Sequence, residues 1–289
     1  MLGDGQQVHP ESAETSVVKS EKEDRKEAMT TRTSQETVRL VDDVSIPLIG
    51  FGTWQLQGTE AYNGVRAALE IGYRHIDTAT GYSNEDQVGA AIRDSGVGRE
   101  NIFITTKFPP ENVGHERETI DDSLKALGVD FVDLWLVHWP PAGEARPETW
   151  KALIEALEQG KTRSIGVSNY SIAQIDELTA ATGKTPALNQ IPWNPFAYDA
   201  HLVDELASRH VVLEGYSPLK LSDLGNPVLG EIAAAHGKTP AQVILRWHVE
   251  HGFVVIPRSA RRERIEENYA IFDFELAAEE ISRIDALKA

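Results

Sequence analysis

The sequence predicts an α/β protein folded as a single (β/α)8 barrel, also called a TIM barrel. Eight short apolar runs each end in a polar or aromatic residue, and segments with helical spacing lie between them. Near-continuous Val, Ile and Leu are typical of parallel strands that are buried on both faces. Polar groups at the same end of every strand indicate one shared mouth, where barrels of this type carry their active sites. In chain order the eight terminal residues are Trp54, Asp77, Lys107, His138, Asn169, Gln190, Tyr216 and Arg258.

The chain divides into a tail and one barrel domain. Residues 1–36 are rich in Glu, Lys, Ser, Thr and Gln and carry almost no periodic apolar pattern, which predicts a disordered acidic N-terminal tail. Residues 37–289 carry the barrel pattern, and a segment of this length is typical of one such barrel. At the start of that segment, the Asp42-Asp43 pair separates two apolar runs and predicts an N-terminal β-hairpin.

Segments with helical spacing of apolar residues alternate with the strands after the hairpin, which favours a closed barrel over an open sheet. Ser171 fits a helix N-cap, and Gly128, Gly160 and Gly183 stand where helix C-terminal glycines belong. A last helix is expected over residues 281–287. The other predicted helices cover residues 59–72, 85–95, 116–127, 147–159, 171–182, 199–209, 227–236 and 240–250.

The composition argues against several classes of function. The formal net charge of −17 makes non-specific nucleic-acid binding unexpected, since affinity for phosphate backbones rests on Lys and Arg. No apolar stretch is long enough to span a bilayer, and the first residues lack the hydrophobic core of a signal peptide. The absence of Cys excludes disulfides, thiolate metal sites and a cysteine nucleophile. We expect a cytoplasmic monomer without nucleic-acid or membrane partners.

One dense basic run, Arg258 to Arg264, stands out in this acidic chain. A basic patch of this kind can hold one small anionic ligand. The same residues also fit the solvated start of a helix. Composition alone leaves both interpretations open.

Two familiar ligand-binding patterns are not met. Gly96-Val97-Gly98 does not begin a six-residue dinucleotide fingerprint, and it follows a predicted helix rather than a strand. His248 and His251 are three residues apart on a predicted helix, but no carboxylate motif accompanies them. We therefore expect no metal site.

Four polar residues, Asp77, Tyr82, Lys107 and His138, lie at or just beyond the ends of the second, third and fourth strands. Neighbouring strands are about 4.8 Å apart, so these side chains can converge. A free Tyr titrates at about pH 10, and a nearby Lys ammonium would lower that pKa. A carboxylate would hold the ammonium, and a His could donate to a substrate carbonyl. Together they form a candidate general acid with its tuning partners.

Each of the four residues also has an ordinary structural interpretation. Asp77 could cap a helix or form a buried ion pair, and Lys107 could face solvent. His138 could be a satisfied histidine at a strand end, and Tyr82 a loop aromatic. The joint pattern, in which every strand contributes a residue, favours chemistry over these separate explanations.

Two long motifs and several short ones stand in a fixed order along the chain. The first is Gly72-Tyr73-Arg74-His75-Ile76-Asp77-Thr78-Ala79, followed by Tyr82, Asn84, Glu85, Val88 and Gly89. The last is Ile256-Pro257-Arg258-Ser259, followed by Arg264, Ile265, Glu267 and Asn268. Between them lie Thr106-Lys107, Val137-His138-Trp139-Pro140, Gly166-Val167-Ser168-Asn169, Asn189-Gln190 and Tyr216-Ser217-Pro218-Leu219. From about Val38 to its end the chain therefore resembles the aldo-keto reductase family, and within it the bacterial 2,5-diketo-D-gluconate reductase branch.

The resemblance implies an enzyme that passes hydride from NADPH to an aldehyde, an α-dicarbonyl or a keto-sugar. Tyr82 would be the proton donor, Lys107 and Asp77 would tune it, and His138 would orient the carbonyl of a small-molecule substrate.

Two Trp residues, Trp54 and Trp139, are expected as apolar walls of the substrate pocket. Because the sequence ends at Ala289, soon after its last predicted helix, an open pocket is expected.

The resemblance also implies a set of NADPH-binding residues along the barrel mouth. Ser168, Asn169 and Gln190 would bind the carboxamide, Tyr216 would stack on the nicotinamide ring, and Ser217 to Leu219 would follow the pyrophosphate. Arg258, Ser259 and Arg264 would hold the 2′-phosphate, and Glu267 and Asn268 would hold the adenine. Family members commonly have Lys where this chain has Arg258, and a guanidinium offers planar, bidentate contact with phosphate. A preference for NADPH is therefore expected.

Two other functions stay open at the level of the sequence. A cofactor-binding redox sensor on the same barrel, with slow turnover, would keep the same four polar residues. A metal-dependent barrel hydrolase or isomerase would need several carboxylates and histidines at the strand ends, and the strand-end residues do not supply them.

Overall fold

The computed structural model describes Met1 and residues 36–288. The predicted tail, residues 1–36, lies outside the described residues except for its first and last positions. Across the described part of the chain, no helix combines the length and apolar character needed to cross a membrane.

The predicted hairpin precedes the barrel. Strands β1 (Thr37–Arg39) and β2 (Ser45–Pro47) pair antiparallel, and Asp43 takes a left-handed conformation in the turn, with φ of 62°. The other turn carboxylate, Asp42, forms an ion pair with Lys184 and accepts a 2.6 Å hydrogen bond from Ser164. Ser164 directly precedes a barrel strand, so these contacts hold the hairpin against the N-terminal ends of the strands.

Eight parallel strands then form the barrel, in the order in which they occur in the sequence. A parallel bridge between Ile49 and Val255 joins the first strand region to the last, and Gly50 donates to the carbonyl of Val255 at 2.9 Å. These bonds close the sheet, which confirms the predicted (β/α)8 barrel. The strands are β3 (Phe51–Gly52), β4 (His75–Asp77), β5 (Phe103–Phe108), β6 (Leu134–Val137), β7 (Ile165–Ser168), β8 (Leu188–Pro192), β9 (Val212–Tyr216) and β10 (Val254–Ile256).

Helices follow the strands and cover the outside of the barrel. In the described part they are α1 (Gly58–Ile71), α2 (Glu85–Asp94), α3 (Glu116–Leu127), α4 (Pro147–Glu158), α5 (Ile172–Thr182), α6 (Ala200–Ser208), α7 (Pro227–His236), α8 (Pro240–Glu250), α9 (Arg262–Tyr269) and α10 (Ala278–Asp285). The eight helices predicted ahead of α9 all begin and end within one residue of the predicted positions.

Local capping chemistry explains these boundaries. The Ser171 hydroxyl accepts from the backbone of Gln174, whose side chain accepts from the Ser171 amide at 2.9 Å, a reciprocal cap that starts α5. Gly128 and Gly183 end α3 and α5 in the left-handed conformation. The last helix, α10, spans residues 278–285 rather than 281–287. It starts earlier because the Glu280 carboxylate accepts from the Ala277 amide at 2.8 Å.

Strand β5 shows how the barrel separates its two faces. All six residues of Phe103–Phe108 are buried, although three of them are polar. Thr106 points outward and donates to Glu85 on α2 at 2.5 Å. Its neighbours Thr105 and Lys107 contact side chains of the adjacent strand β4, so they point into the barrel. The alternation of a strand thus delivers a lysine to the interior near the C-terminal end of β5.

Helix α2 packs against the end of α3 through Gly89. A Cβ atom added at Gly89 would lie 2.2 Å from the carbonyl oxygen of Leu127. Gly89→Ala should therefore lower the free energy of unfolding by about 1–3 kcal/mol, the usual cost of overpacking. Gly230 on α7 is the matched control, because a Cβ there meets no atom within 4 Å. Gly230→Ala should raise the free energy of unfolding by about 0.4–1 kcal/mol. Denaturant titration of both variants checks this packing, and an unchanged Gly89→Ala midpoint would contradict it.

Candidate active site

A cavity of about 750 Å³ opens at the C-terminal ends of the barrel strands. It gathers residues from distant parts of the chain, as parallel strands in a barrel require. The site residues predicted from the sequence that line it are Trp54, Asp77, Tyr82, His138, Trp139, Ser168, Asn169, Gln190, Tyr216, Ser217, Leu219 and Arg258. Lys107 lies behind this lining, while Ser259, Arg264, Glu267 and Asn268 lie outside it.

A buried ion pair forms the floor of the cavity. The Lys107 ammonium donates to Asp77 Oδ1 at 2.6 Å and to the backbone carbonyl of Thr78 at 2.8 Å, and the Lys107 side chain is 0% exposed. The second Asp77 oxygen accepts from the Gln190 amide at 2.9 Å. Burial is the largest single influence and opposes the charged form of Lys107, but Asp77 and the acidic groups around it together outweigh burial, so the pKa of Lys107 is raised and the ammonium persists.

Tyr82 stands over this pair at the end of a short 3-10 turn that follows β4. Its hydroxyl lies 3.5 Å from Lys107 Nζ, and its backbone carbonyl accepts from the Gln57 amide at 2.8 Å, which holds the turn. Burial raises the pKa of Tyr82, while the positive charge of Lys107 lowers it. The net direction is upward. Lys107 thus acts in the expected sense but does not overcome burial, so the phenol keeps its proton at neutral pH.

His138 faces Tyr82 across the cavity. The two rings meet edge to face, with centroids 5.5 Å apart and planes at 73°. Burial, followed by the charge of Lys107, lowers the pKa of His138 to about 3. The imidazole is therefore neutral at physiological pH, and a neutral imidazole can donate one hydrogen bond to a carbonyl oxygen.

A second set of polar groups lines the opposite wall, at the ends of β7, β8 and β9. Asn169 adopts a left-handed conformation with φ of 64°, donates to the carbonyl of His138 at 3.1 Å, and accepts from the Tyr216 hydroxyl at 2.9 Å. Ser168 donates to the carbonyl of Gln190 at 2.8 Å. Gln190 also lines the cavity, and its amide donates to Asp77 at 2.9 Å.

The basic run lies at the far rim. Arg258 is exposed, lines the cavity, and approaches Gln55 Oε1 at 3.4 Å. Ser259 is buried and caps the following turn by accepting from the Arg261 amide at 3.0 Å. Arg262 is the first residue of α9, so the run is also the start of a helix, as one of the two sequence interpretations held.

The remaining residues predicted for cofactor binding lie on α9, beyond the cavity lining. Arg264 is exposed and Asn268 is buried. Glu267 accepts from the Thr239 hydroxyl at 2.8 Å. The structure therefore brings these three residues to one helix next to the rim.

Several residues of the cavity are not among those predicted from the sequence. Pro109, Pro110 and Glu111 follow β5 directly, and their position after a strand that carries Lys107 was a usable signal. Lys220 was missed as well, and its ammonium lies 5.0 Å from the ring centroid of Trp54, a cation–π contact across the mouth. No local pattern marks that pairing.

The two histidines considered as metal ligands have other partners. His248 is buried, not on the surface, and its ring nitrogens lie 2.8 Å from the carbonyl of Ile244 and 3.3 Å from that of Trp193. His251 pairs with Asp285 of α10 at 2.9 Å. Both therefore serve the packing of α8.

Comparison with known proteins gives one consistent result. Residues 48–289 match the model of the Aldo/keto reductase family. The chain is 44% identical over 255 residues to an aldo-keto reductase of Mycolicibacterium smegmatis, covering 87% of this chain and 93% of that protein. It is 41% identical over 254 residues to methylglyoxal reductase DkgA of Escherichia coli, covering 86% and 92%. A crystal structure of an aldo/keto reductase from Brucella melitensis matches with a TM-score of 0.85 and 43% identity, over 88% of this chain and 100% of that one.

The environment of His138 leads to a measurable expectation. Its ring should show no protonation step between about pH 5 and 8, where an unperturbed His titrates. Lys107→Met should move the His138 pKa upward, since Lys107 is the second cause of its depression. Ring NMR shifts, assigned with His138→Gln, test both statements. Titration of His138 at its ordinary pKa in the parent protein would contradict the geometry.

Proposed function

Because this chain belongs to the aldo-keto reductase family, we propose that it reduces small aldehydes and α-dicarbonyls with NADPH, with Tyr82 as the proton donor. The enzyme is an oxidoreductase that acts on carbonyl groups, and its family uses a nicotinamide cofactor. The observation that carries the proposal is the contact of the Asp77–Lys107 ion pair with the Tyr82 hydroxyl at the floor of an open cavity.

The residues of the cavity fit a dinucleotide of this type. The wall formed by Ser168 and Asn169 carries hydroxyl and amide groups that match a carboxamide, and the half-buried ring of Tyr216 offers an aromatic face. The rim carries the exposed guanidinium of Arg258, which suits a phosphate. A bound nicotinamide would supply the hydride.

Each polar group at the floor then has one task. Neutral His138 donates to the substrate carbonyl oxygen and orients it toward Tyr82. The Tyr82 hydroxyl gives its proton to that oxygen as negative charge develops there. Lys107 stabilises the phenolate that remains, because its ammonium is already placed and needs no reorganisation. Asp77 and the carbonyl of Thr78 hold the ammonium in this position.

Cofactor choice is assigned to the basic run. In a chain with a net charge of −17, Arg258 and Arg264 supply local positive charge beside the rim. We assign them, with Ser259, to the 2′-phosphate that distinguishes NADPH from NADH. Glu267 and Asn268 on the same helix are assigned to the adenine.

The substrate class follows from the mouth of the cavity. Trp54 and Trp139 line it and remain 42% and 48% exposed, so both rings are available to pack against an apolar substrate group. The Escherichia coli relative is named a methylglyoxal reductase. We therefore place methylglyoxal and related α-dicarbonyls first among the substrates, with keto-sugars as a second class.

A cofactor-binding redox sensor is not favoured, because the named relatives are reductases and the four polar residues are assembled around one cavity. That the enzyme works as a cytoplasmic monomer remains a prediction from the sequence.

The role of Tyr82 is tested by removing one oxygen atom. Tyr82→Phe should lower turnover by at least about a hundredfold, the usual lower bound for general acid catalysis. NADPH affinity should change little, because the hydroxyl contacts Lys107 rather than the assigned cofactor wall. Stopped-flow reduction of methylglyoxal and fluorescence titration of NADPH measure the two quantities. A Phe variant with near-parental turnover would refute the assignment.

The role of Arg258 is tested by comparing two cofactors. A charge-assisted contact is worth about 1.5–3 kcal/mol, so Arg258→Ala should raise the Kd for NADPH about tenfold or more. The Kd for NADH should hardly move. Arg262→Ala is the matched control in the same run, because Arg262 is turned to Glu70 at 2.7 Å and should leave the ratio unchanged. Equal weakening of both cofactors by Arg258→Ala would exclude a phosphate-reading role.

A further inference from the structure

Glu214 is a buried carboxyl group that the proposed mechanism does not use. It lies in the middle of β9, is 0% exposed, and is paired in register with Gln190 of β8 and Val254 of β10. Among the described residues, neither of its oxygens has a partner in hydrogen-bonding geometry. A buried ionised carboxylate without donors is strongly disfavoured.

The imidazole of His75, which pairs with Glu214 at long range, does not supply a positive charge. His75 Nε2 lies 3.9 Å from Glu214 Oε1, beyond hydrogen-bonding distance, and is 3.0 Å from the Thr105 hydroxyl instead. Burial, followed by the charge of Lys107, lowers the pKa of His75 to about 3, so the imidazole is neutral. Glu214 therefore forms no ion pair with a charged His75.

The two neighbouring carboxyls, Asp77 and Glu214, differ in the donors that they receive. Asp77 accepts from Lys107 at 2.6 Å and from Gln190 at 2.9 Å, which suits a carboxylate. Neither Glu214 oxygen has a partner in hydrogen-bonding geometry, although the Gln190 amide and the charge of Lys107 are close enough to favour its ionised form to a small extent. The hydrogen-bond donors at the floor of the cavity can stabilise one carboxylate, and they are directed to Asp77.

Burial raises the pKa of both carboxyls, but at Asp77 the charge of Lys107 and the hydrogen bonds from Lys107 and Gln190 oppose it. Burial first, and then the negative charge of Asp77, raise the pKa of Glu214 to about 8, against smaller opposing effects of Gln190 and Lys107. The titratable groups that face Glu214 are His75 and Asp77 from β4 and Lys107 from β5.

We propose that Glu214 is a positioning residue, held as a neutral carboxylic acid beneath the Asp77–Lys107 pair so that the ammonium keeps its full effect on Tyr82. This inference rests on the proposed function, since it assumes that Tyr82 gives up a proton. Ionisation of Glu214 would add a second negative charge near Lys107. That charge would destabilise the Tyr82 phenolate and slow carbonyl reduction.

We expect the pH profile of the chemical step to have an alkaline limb, in which the rate falls as the pH rises. Single-turnover reduction should slow by about tenfold as the pH rises through the Glu214 pKa, the size expected for one nearby, partly screened charge. KM should stay nearly constant. Glu214→Gln keeps the shape and cannot ionise, so it should retain the neutral-pH rate within about threefold and lose the alkaline limb.

Two further variants sharpen the test. Glu85→Gln is the matched control, because Glu85 is also buried but its oxygens accept from Thr106 at 2.5 Å and Ser123 at 3.0 Å. It should keep the parental alkaline limb. Glu214→Leu also cannot ionise and needs no hydrogen-bond donor, so it gives the same readout if the Gln variant fails to fold. An alkaline limb that persists in a folded Glu214 variant would overturn the proposal.

A measurement without turnover separates this inference from the proposed function. Infrared difference spectra between the parent and Glu214→Gln should show a protonated carboxylic acid at neutral pH that ionises at alkaline pH. Its absence at neutral pH would refute the neutral acid even if Tyr82 is the donor. Conversely, near-parental turnover of Tyr82→Phe would refute the proposed function while leaving the infrared result intact.

Folding stability provides an independent check with a definite sign. The Glu214 pKa is higher in the folded protein than the ordinary value of 4.5, so the folded state binds the extra proton. Stability from this group is therefore complete below that ordinary value and is lost progressively as pH rises to about 8. Relative to the parent, Glu214→Gln should gain melting temperature over this interval. A constant difference at all pH values would contradict the neutral acid.

Discussion

The ion pair between Asp77 and Lys107 is the interaction on which the rest of the site depends. Two charges inside a barrel cost several kcal/mol each in lost hydration, and their attraction compensates only when the remaining lone pairs and protons are satisfied. Here two further hydrogen bonds satisfy them: Lys107 also donates to Thr78, and Asp77 also accepts from Gln190. Three strands must be in correct register for this arrangement, so the pair links closure of the barrel to its chemistry.

Burial has the largest effect on the pKa values, and hence on the protonation states, of the groups around that pair. It raises the pKa of Tyr82 and lowers the pKa of His138, which leaves the phenol protonated and the imidazole neutral. Lys107 acts on both groups as well, and it lowers the pKa of each. One persistent ammonium among groups kept neutral by burial is a preorganised environment for an oxygen that becomes negative during reduction.

Local sequence patterns were sufficient to predict most of the fold and the principal side chains of the site. Strands buried on both faces have a distinctive composition, and the polar residue at the end of each strand points to a common mouth because all strands run parallel. Asp77, Lys107 and His138 could be found in this way. The cap at Ser171 and the turn at Asp43 were also predictable, since both arise from contacts within a few residues.

Contacts between residues that are distant in sequence had to come from the tertiary structure. The bond from Gln190 to Asp77 spans 113 residues and depends on strand register, which no local motif encodes. The cation–π contact of Lys220 with Trp54 depends on two loops that meet across the mouth of the barrel. The sequence by itself thus determined the elements and the kinds of group that they carry. Only the folded barrel decided which groups share a hydrogen bond and which, like Glu214, are buried without one, because solvent exclusion and register are properties of the whole closed sheet.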